Sequence, residues 1–399
     1  MARIEETLFE VFRRWGFRRI ITPTLEFLDV VAKGIGEELK ESAFKFTDRM
    51  SGQVIAVRPD ITPQVARMVA TRMRGLPLPL RLCYGGSVLR DMGEGGRPRE
   101  IFQVGLELIG LEAPEADAEM IAIGVECLKA LNIEDFKIDV GQVEFSRGIL
   151  REANLPPSLE RPFREALARK DVSTLGELLH QAGSDSTALL ALPNLYGGEE
   201  VIEKAQALAQ NDGSRAALRN LKQVIDIIKI YGLFDHISID LGEMRGFDYH
   251  NGVIFEGFVS GQGFPVLGGG RYDALIGKYG YPCPATGFAL DLESLLTALE
   301  GRGLTPTPPP IDFLLINLRR DKEEALNLAR ALRERGFSVA RDIIKREVPG
   351  SIDYALRMRI KNVIILGAEG CQEGEVILKR LPSGEESRVR GEELIRSPM

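Results

Sequence analysis

The chain has 399 residues, more than one ordinary core accommodates, and at about 150 residues per domain it divides into two or three. Hydrophobic residues make up 44% and charged residues 27%, a globular balance that excludes collagen-like and wholly disordered chains. A net charge of -7 supplies no basic field for nucleic acid, and no run approaches the roughly 20 apolar residues of a membrane span, so a cytoplasmic protein without a membrane partner is expected.

Residues 3–15 carry Leu8, Val11, Phe12 and Trp15 near helical spacing, which predicts an amphipathic helix ended by Gly16 and followed by the extended run RRIITPTLEF. Strand signals follow at 53–58, 80–84 and 101–109, with a helical period across ITPQVARMVATRMRG between the first two. A helix is expected over 116–131 and a strand at KIDVG. Residues 147–231 become rich in Ala, Leu, Glu and Arg between prolines and read as a helical insertion. Strand patterns return at 236–242 and 252–259, and 285–299 opens as a strand and continues as a helix. Antiparallel strands with helices set to one side give an α+β architecture. The TPTPPP run at 305–310 carries neither helix nor sheet ladder and reads as a linker. It separates a large domain, 1–304, from a small α/β domain, 311–399, with the order β, α, β, α, β, β.

Four cysteines, Cys83, Cys127, Cys283 and Cys371, stand far apart without short paired spacing, and only three histidines accompany them. No metal site is expected, and the thiols read as reduced and mostly buried. Three segments, 58–67 (RPDITPQVAR), 83–110 and 245–258 (RGFDYHNGVIFEGF), place charged residues in β-rich surroundings, where a buried charge is costly unless a polar ligand compensates it. Gln103 and Glu107 share one face of a strand whose other face takes Val104, Leu106 and Leu108; a pocket and an exposed sheet face both satisfy that pattern. Asp60 either meets a ligand or caps the helix beginning near Thr62. GGGRYDAL (268–275) permits close backbone approach to a ligand or a tight bend, and lacks phosphate-loop spacing. His180 and His236 read as surface or packing residues, while His250, inside RGFDYHNG, is open to a site role or a packing role.

These residues carry a family resemblance over nearly the whole chain. GFRRIITPTLE resembles motif 1 of class II aminoacyl-tRNA synthetases, LRDMGEGGRPREIFQVGLELIG resembles motif 2 of histidyl-tRNA synthetase, and GFALDLESL resembles its motif 3. RGFDYHNGVIFE and GGGRYDAL resemble that enzyme's two histidine-specific motifs, and residues 311–396 are similar to its anticodon-binding domain. The resemblance implies a class II synthetase-like antiparallel sheet with flanking helices and a site for free histidine. In that pattern Asp60 and Thr62 hold the amino group with Gln103, Glu107 faces the imidazole, Arg245 pairs with the carboxylate, and Tyr249, His250 and Tyr272 wall the ring. Such charge-assisted bonds fix orientation as well as affinity.

Two departures bear on activity. Ser294 stands where motif 3 has an arginine against the ATP phosphates, and Met92 stands where motif 2 has a glutamate two residues after the arginine matched by Arg90. Losing a group that stabilises charge at the α-phosphate costs on the order of 10²-fold or more in rate. Arg90, Arg97 and Arg99 remain as anion or nucleotide contacts. RPDITPQVAR and LPNLYGGEEVIEKA resemble the regulatory subunits of short-form ATP phosphoribosyltransferase. That resemblance implies a non-catalytic chain without a cofactor, acting at the first step of histidine biosynthesis and mediating feedback inhibition by histidine. It implies a catalytic-subunit partner and a homodimer core, with motif 1 at its interface, inside a hetero-oligomer; tRNA is not an expected partner. The alternative is an active histidine-tRNA ligase, which the terminal domain favours, although SIDYALRMRIKN lacks the lysine-rich helix of a synthetase.

Overall fold

The computed structural model describes every residue except 92–98, 185, 244–249, 305–308, 345 and 397–399, and omits the side chains of residues 37 and 38. Part of the TPTPPP run, Met92, Arg97, Arg245 and Tyr249 therefore lie outside the described residues. Two units divide the chain, Met1–Pro306 and Thr307–Met399.

In the larger unit, helix Ala2–Arg14 turns Ile4, Leu8, Val11 and Phe12 to one side at helical spacing, and all four are buried. They pack on the back of a nine-stranded sheet, where Cys83, Val104, Leu106, Leu108, Phe288 and Leu290 belong to the same core. Phe12 meets Phe288 edge-on at 6.4 Å between ring centroids. Strands run across this sheet in the order Arg18–Arg19, Leu80–Leu89, Glu100–Ile109, Ala285–Asp291, Leu267–Arg271, Val253–Val259, Phe136–Gln142, Ile237–Asp240, Tyr196–Gly197. Neighbours are antiparallel except Arg18–Arg19 with Leu80–Leu89 and Phe136–Gln142 with Ile237–Asp240. Helices Pro114–Ala130 and Leu292–Glu300 complete the back layer with Met120, Ile121, Ile123, Leu292 and Leu295.

The front face is built differently. Leu82, Tyr84, Val88, Ile101, Ile109 and Ala285 pack against Val65, Ala66 and Val69 of helix Thr62–Arg72 and against the Ile276–Tyr279 turn. The helical insertion begins at Val143, earlier than its composition suggests, because Gln142 ends its strand and its side chain caps Glu144 N at 3.1 Å. Its longest helix is Asp212–Ile230.

A separate three-stranded sheet places Val54–Val57 between Leu25–Phe27 and Lys45–Thr47, with Phe27, Ile55 and Phe46 in one cross-strand row. The segment 58–67 clasps the chain leading into it. Arg58 N donates to Thr24 O at 3.0 Å, Gln64 Nε2 to Pro23 O at 2.7 Å, and Arg67 pairs with Glu26 at 3.0 Å.

The smaller unit is a five-stranded sheet ordered Val339–Arg341, Phe313–Asn317, Asn362–Leu366, Glu375–Arg380, Glu386–Arg390, parallel across the first three and antiparallel after. Helix Glu323–Glu334 packs on one core and Val348–Arg357 on another. Strand Glu386–Arg390 and helix Gly391–Arg396 were not anticipated, since ESRVR offers a single strongly apolar residue. Cys83, Cys127 and Cys283 are buried. No helix among the described residues is long and apolar enough to cross a membrane.

Phe12→Ala removes a ring held between Phe9 and Phe288 in a core with no exposure. The expected loss of stability is about 3–5 kcal/mol, read from the denaturant midpoint of the larger unit; a change below about 1 kcal/mol contradicts this packing.

Candidate functional site

The site begins where segment 58–60 leaves regular structure. Leu89 N donates to Arg58 O at 3.1 Å and Arg90 Nε to Pro59 O at 2.7 Å, so the end of strand Leu80–Leu89 fixes the segment's backbone. Asp60 Oδ1 accepts from Thr62 N at 3.3 Å in a local turn, while the N-cap of helix Thr62–Arg72 is Ile61 and carries no side-chain cap. The same turn aims Thr62 Oγ1 at the front of the sheet.

There it meets Glu107, which is 1% exposed. Thr62 Oγ1 donates to Glu107 Oε1 at 2.8 Å and the Tyr84 hydroxyl to the same oxygen at 3.1 Å, while the Tyr272 hydroxyl donates to Oε2. Among the described residues no cation pairs with this carboxyl. Gly287 lies directly across the ladder from Glu107, and a Cβ there would overlap Oε2. The glycine makes room for the acid.

Tyr272 is placed by a buried ionic anchor just before it. Arg271 Nε pairs with Asp117 at 3.0 Å, and its Nη1 bonds Asp273 at 3.1 Å and Leu111 O at 3.2 Å. Tyr272 N donates to Ala285 O at 2.8 Å, and Asp273 N to the Asn251 side chain at 2.9 Å, which ties in the residue following His250. The glycine run before it is strand rather than bend: Leu267–Arg271 lies in the middle of the sheet.

Burial pushes the Glu107 carboxyl up to about 8; the hydroxyls of Tyr272 and Thr62 oppose that, and the charge of Asp60 adds to it. Burial, then the charge of Glu107, holds the Tyr84 phenol well above its ordinary value, so it remains a donor. His250 is buried, and burial followed by the field of Arg147 pulls its imidazole down to about 3, leaving it neutral. Gln103 shares the face of Glu107, and its Oε1 is buried without a hydrogen-bond partner among the described residues. An orphaned acceptor of this kind costs about 1–3 kcal/mol until a donor arrives.

The structure thus gathers Asp60, Thr62, Gln103, Glu107 and Tyr272 on one sheet face. Arg90 serves the 58–60 backbone, and Arg99, largely exposed, lies 3.7 Å from Asp91. Ser294 sits in the first turn of helix Leu292–Glu300, its N–H capped by Asp291 at 3.2 Å. Sequence reasoning missed Tyr84 as a site residue; the signal was the alternation Leu82, Tyr84, Gly86 on the strand paired with Gly105 and Glu107. A separate concavity in the insertion is lined by Arg147, Leu150, Arg151, Leu155, Glu160 and Arg164, but Glu144 engages Arg147 at 2.6 Å and Arg151 at 3.3 Å.

Comparison with known proteins adds kinship to this geometry. A family model described as Histidyl-tRNA synthetase matches residues 1–295, and one described as Anticodon binding domain matches 312–397. The chain is 50% identical to the ATP phosphoribosyltransferase regulatory subunit of Geobacter sulfurreducens over 98% of its own length and 90% of the relative's. It is 35% identical to the protein of that name from Acetivibrio thermocellus, over 99% and 94%. A solved structure from Bacillus halodurans, described as an ATP phosphoribosyltransferase regulatory subunit/histidyl-tRNA synthetase, superposes with TM-score 0.79 at 29% identity, covering 92% of this chain and 93% of that one. The histidyl-tRNA synthetase of Nostoc shares the fold, with TM-score 0.81 at 22% identity over 99% and 95%.

The shifted groups set a pH profile. His250, lowered in the fold, contributes stability that is present above its ordinary value of 6.5 and lost as pH falls toward about 3. Glu107, raised from 4.5 to about 8, contributes stability that is present below 4.5 and lost as pH climbs through about 8. Of these two groups only Glu107 contributes between about 6.5 and 8, so it lowers the melting temperature as pH rises across that window, and Glu107→Gln is expected to flatten the slope. An unaltered slope in the variant contradicts the assignment.

Proposed function

The chain belongs to the family of ATP phosphoribosyltransferase regulatory subunits, and from that premise we propose that it senses histidine at Glu107 and passes the signal to a catalytic partner. It is a regulatory subunit and not a synthetase. The partner is the short-form catalytic subunit, and the assembly performs the first step of histidine biosynthesis in the cytoplasm. A homodimer of this chain forms the core of the hetero-oligomer.

Glu107 carries the reading. A buried acid with three hydroxyl donors and no cation among the described residues suits a ligand that brings a polarised N–H, and an imidazole does. Gln103 Oε1 gains a donor if an ammonium group lies between it and Asp60. Arg245 then takes the carboxylate, and Tyr249, His250 and Tyr272 wall the ring. Ser294, neutral in the first turn of its helix, offers nothing to the phosphates of a nucleotide, so the amino acid is bound without being activated. Arg90, Arg97 and Arg99 remain as anion contacts. Inhibition then requires only that histidine favour one arrangement of the assembly, a coupling typically about 1–3 kcal/mol.

A second reading, an active histidine-tRNA ligase, draws on the match of residues 312–397 to an anticodon-binding domain. Pyrophosphate exchange by the isolated chain with histidine and ATP separates the two: the regulatory reading expects none above background.

The direct test assays the catalytic partner with and without this chain across a histidine titration, expecting activation by the chain and its loss as histidine rises. Glu107→Ala and Arg245→Ala should each weaken histidine binding by about 1–3 kcal/mol in calorimetry, by leaving polar ligand groups unpaired. Unchanged affinity in both variants moves the site elsewhere.

A further inference from the structure

Arg58 begins the segment that carries Asp60 and Thr62, yet the reading above gives it no role. Its side chain is 7% exposed. Nε donates to Ser87 O at 2.7 Å, and Nη1 to Thr22 O and Thr22 Oγ1 at 3.0 Å each. No carboxylate among the described residues lies within ion-pair distance of it. A guanidinium surrounded by neutral acceptors keeps a full charge that burial penalises, so it is a strong attractor for an anion.

Nη2 makes no hydrogen bond among the described residues, and Gly86 reveals where it points: a Cβ built on that glycine would collide with Nη2. Gly86 pairs with Gln103 across the ladder, two residues along its strand from Tyr84, while Tyr84 reaches Glu107. By strand alternation these side chains share one face. Nη2 therefore lies on the site face, over Gly86 and beside Gln103. Along the strand Gln103 and Glu107 are four residues apart, about 13 Å between Cα atoms. The Tyr84 hydroxyl lies over Gly105 between them, with a buried acid at one end of this stretch and, at the other, a guanidinium that has no ion-pair partner among the described residues.

We propose that Arg58 holds the carboxylate of the bound amino acid through Nη2 over Gly86, making the site specific for ligands with an N–H donor at one end and an anion at the other. This rests on the reading of Glu107 as an amino-acid site. Arg58 supplements Arg245, to which the family pattern gives the same task, and its contact is a charge-assisted hydrogen bond whose loss is felt only by ligands that carry the anion.

The test is calorimetry of the full chain with histidine and with histamine, which keeps the ring and amine but lacks the carboxylate. The unmodified chain should bind histidine about ten-fold or more tighter than histamine, and Arg58→Gln should weaken histidine by about ten-fold while leaving histamine within about two-fold. Arg58 also supports Thr22 and Ser87, so unfolding midpoints are recorded alongside. If that variant does not fold, Gly86→Ala, which crowds Nη2, is read for the same discrimination. Equal loss for both ligands, no loss for histidine, or a histidine-to-histamine ratio near one in the unmodified chain overturns the role of Arg58 and leaves the Glu107 site standing. Absence of histidine binding by the unmodified chain overturns both.

Discussion

Glu107 is held by hydroxyls from three distant places in the chain: Thr62 at the head of a helix, Tyr84 on the adjacent strand, and Tyr272 just beyond the glycine-rich strand. A carboxyl group excluded from water needs such donors, and each one fixes a larger element. Thr62 sets the helix that closes the front of the sheet. Tyr84 requires the register between Leu80–Leu89 and Glu100–Ile109. Tyr272 is placed by Arg271, locked to Asp117 and Asp273 beneath it, and by its own N–H on Ala285 O. The sheet, the front helix and the buried ion pair are thus set around one acid.

Much of this was legible in the residues. Val104, Leu106 and Leu108 do enter the back core while Gln103 and Glu107 take the front, because a strand's side chains alternate and apolar ones seek the thicker layer. Helix Ala2–Arg14 and the strand-to-helix run ending in Leu292–Glu300 followed from periodicity. Register was not legible, and with it went Tyr84 and Arg58, whose meaning depends on which residue lies across the ladder. Nor was the glycine run: a strand without side chains leaves no pattern, although Gly287 in the neighbouring strand shows what such positions are for. Lys45–Thr47 and Glu386–Arg390 escaped because short, polar strands resemble loops.

The division between retained and lost chemistry has a structural logic. On the proposed reading, the amino-acid end of the site is made of several buried and mutually bonded groups on one sheet face, whereas activation of the amino acid depends on individual cations against phosphate. On that same reading, one substitution at the position of Ser294, in the first turn of a helix whose cap is intact, removes activation without disturbing that cap. A match to the histidyl-tRNA synthetase family model together with close identity to regulatory subunits is what such an arrangement would produce.

The clasp made by segment 58–67 has a mechanical meaning. On one flank its atoms grip the carbonyls and carboxylate of residues 22–26; on the other, Asp60 and Thr62 meet the sheet face. Residues 58–61 lie outside regular structure and are held in place by these bonds. A ligand that shifts Thr62 by even a fraction of an ångström therefore either breaks hydrogen bonds or drags the Leu25–Phe27 strand along, and the apolar row of Phe27, Ile55 and Phe46 travels with it as a passenger.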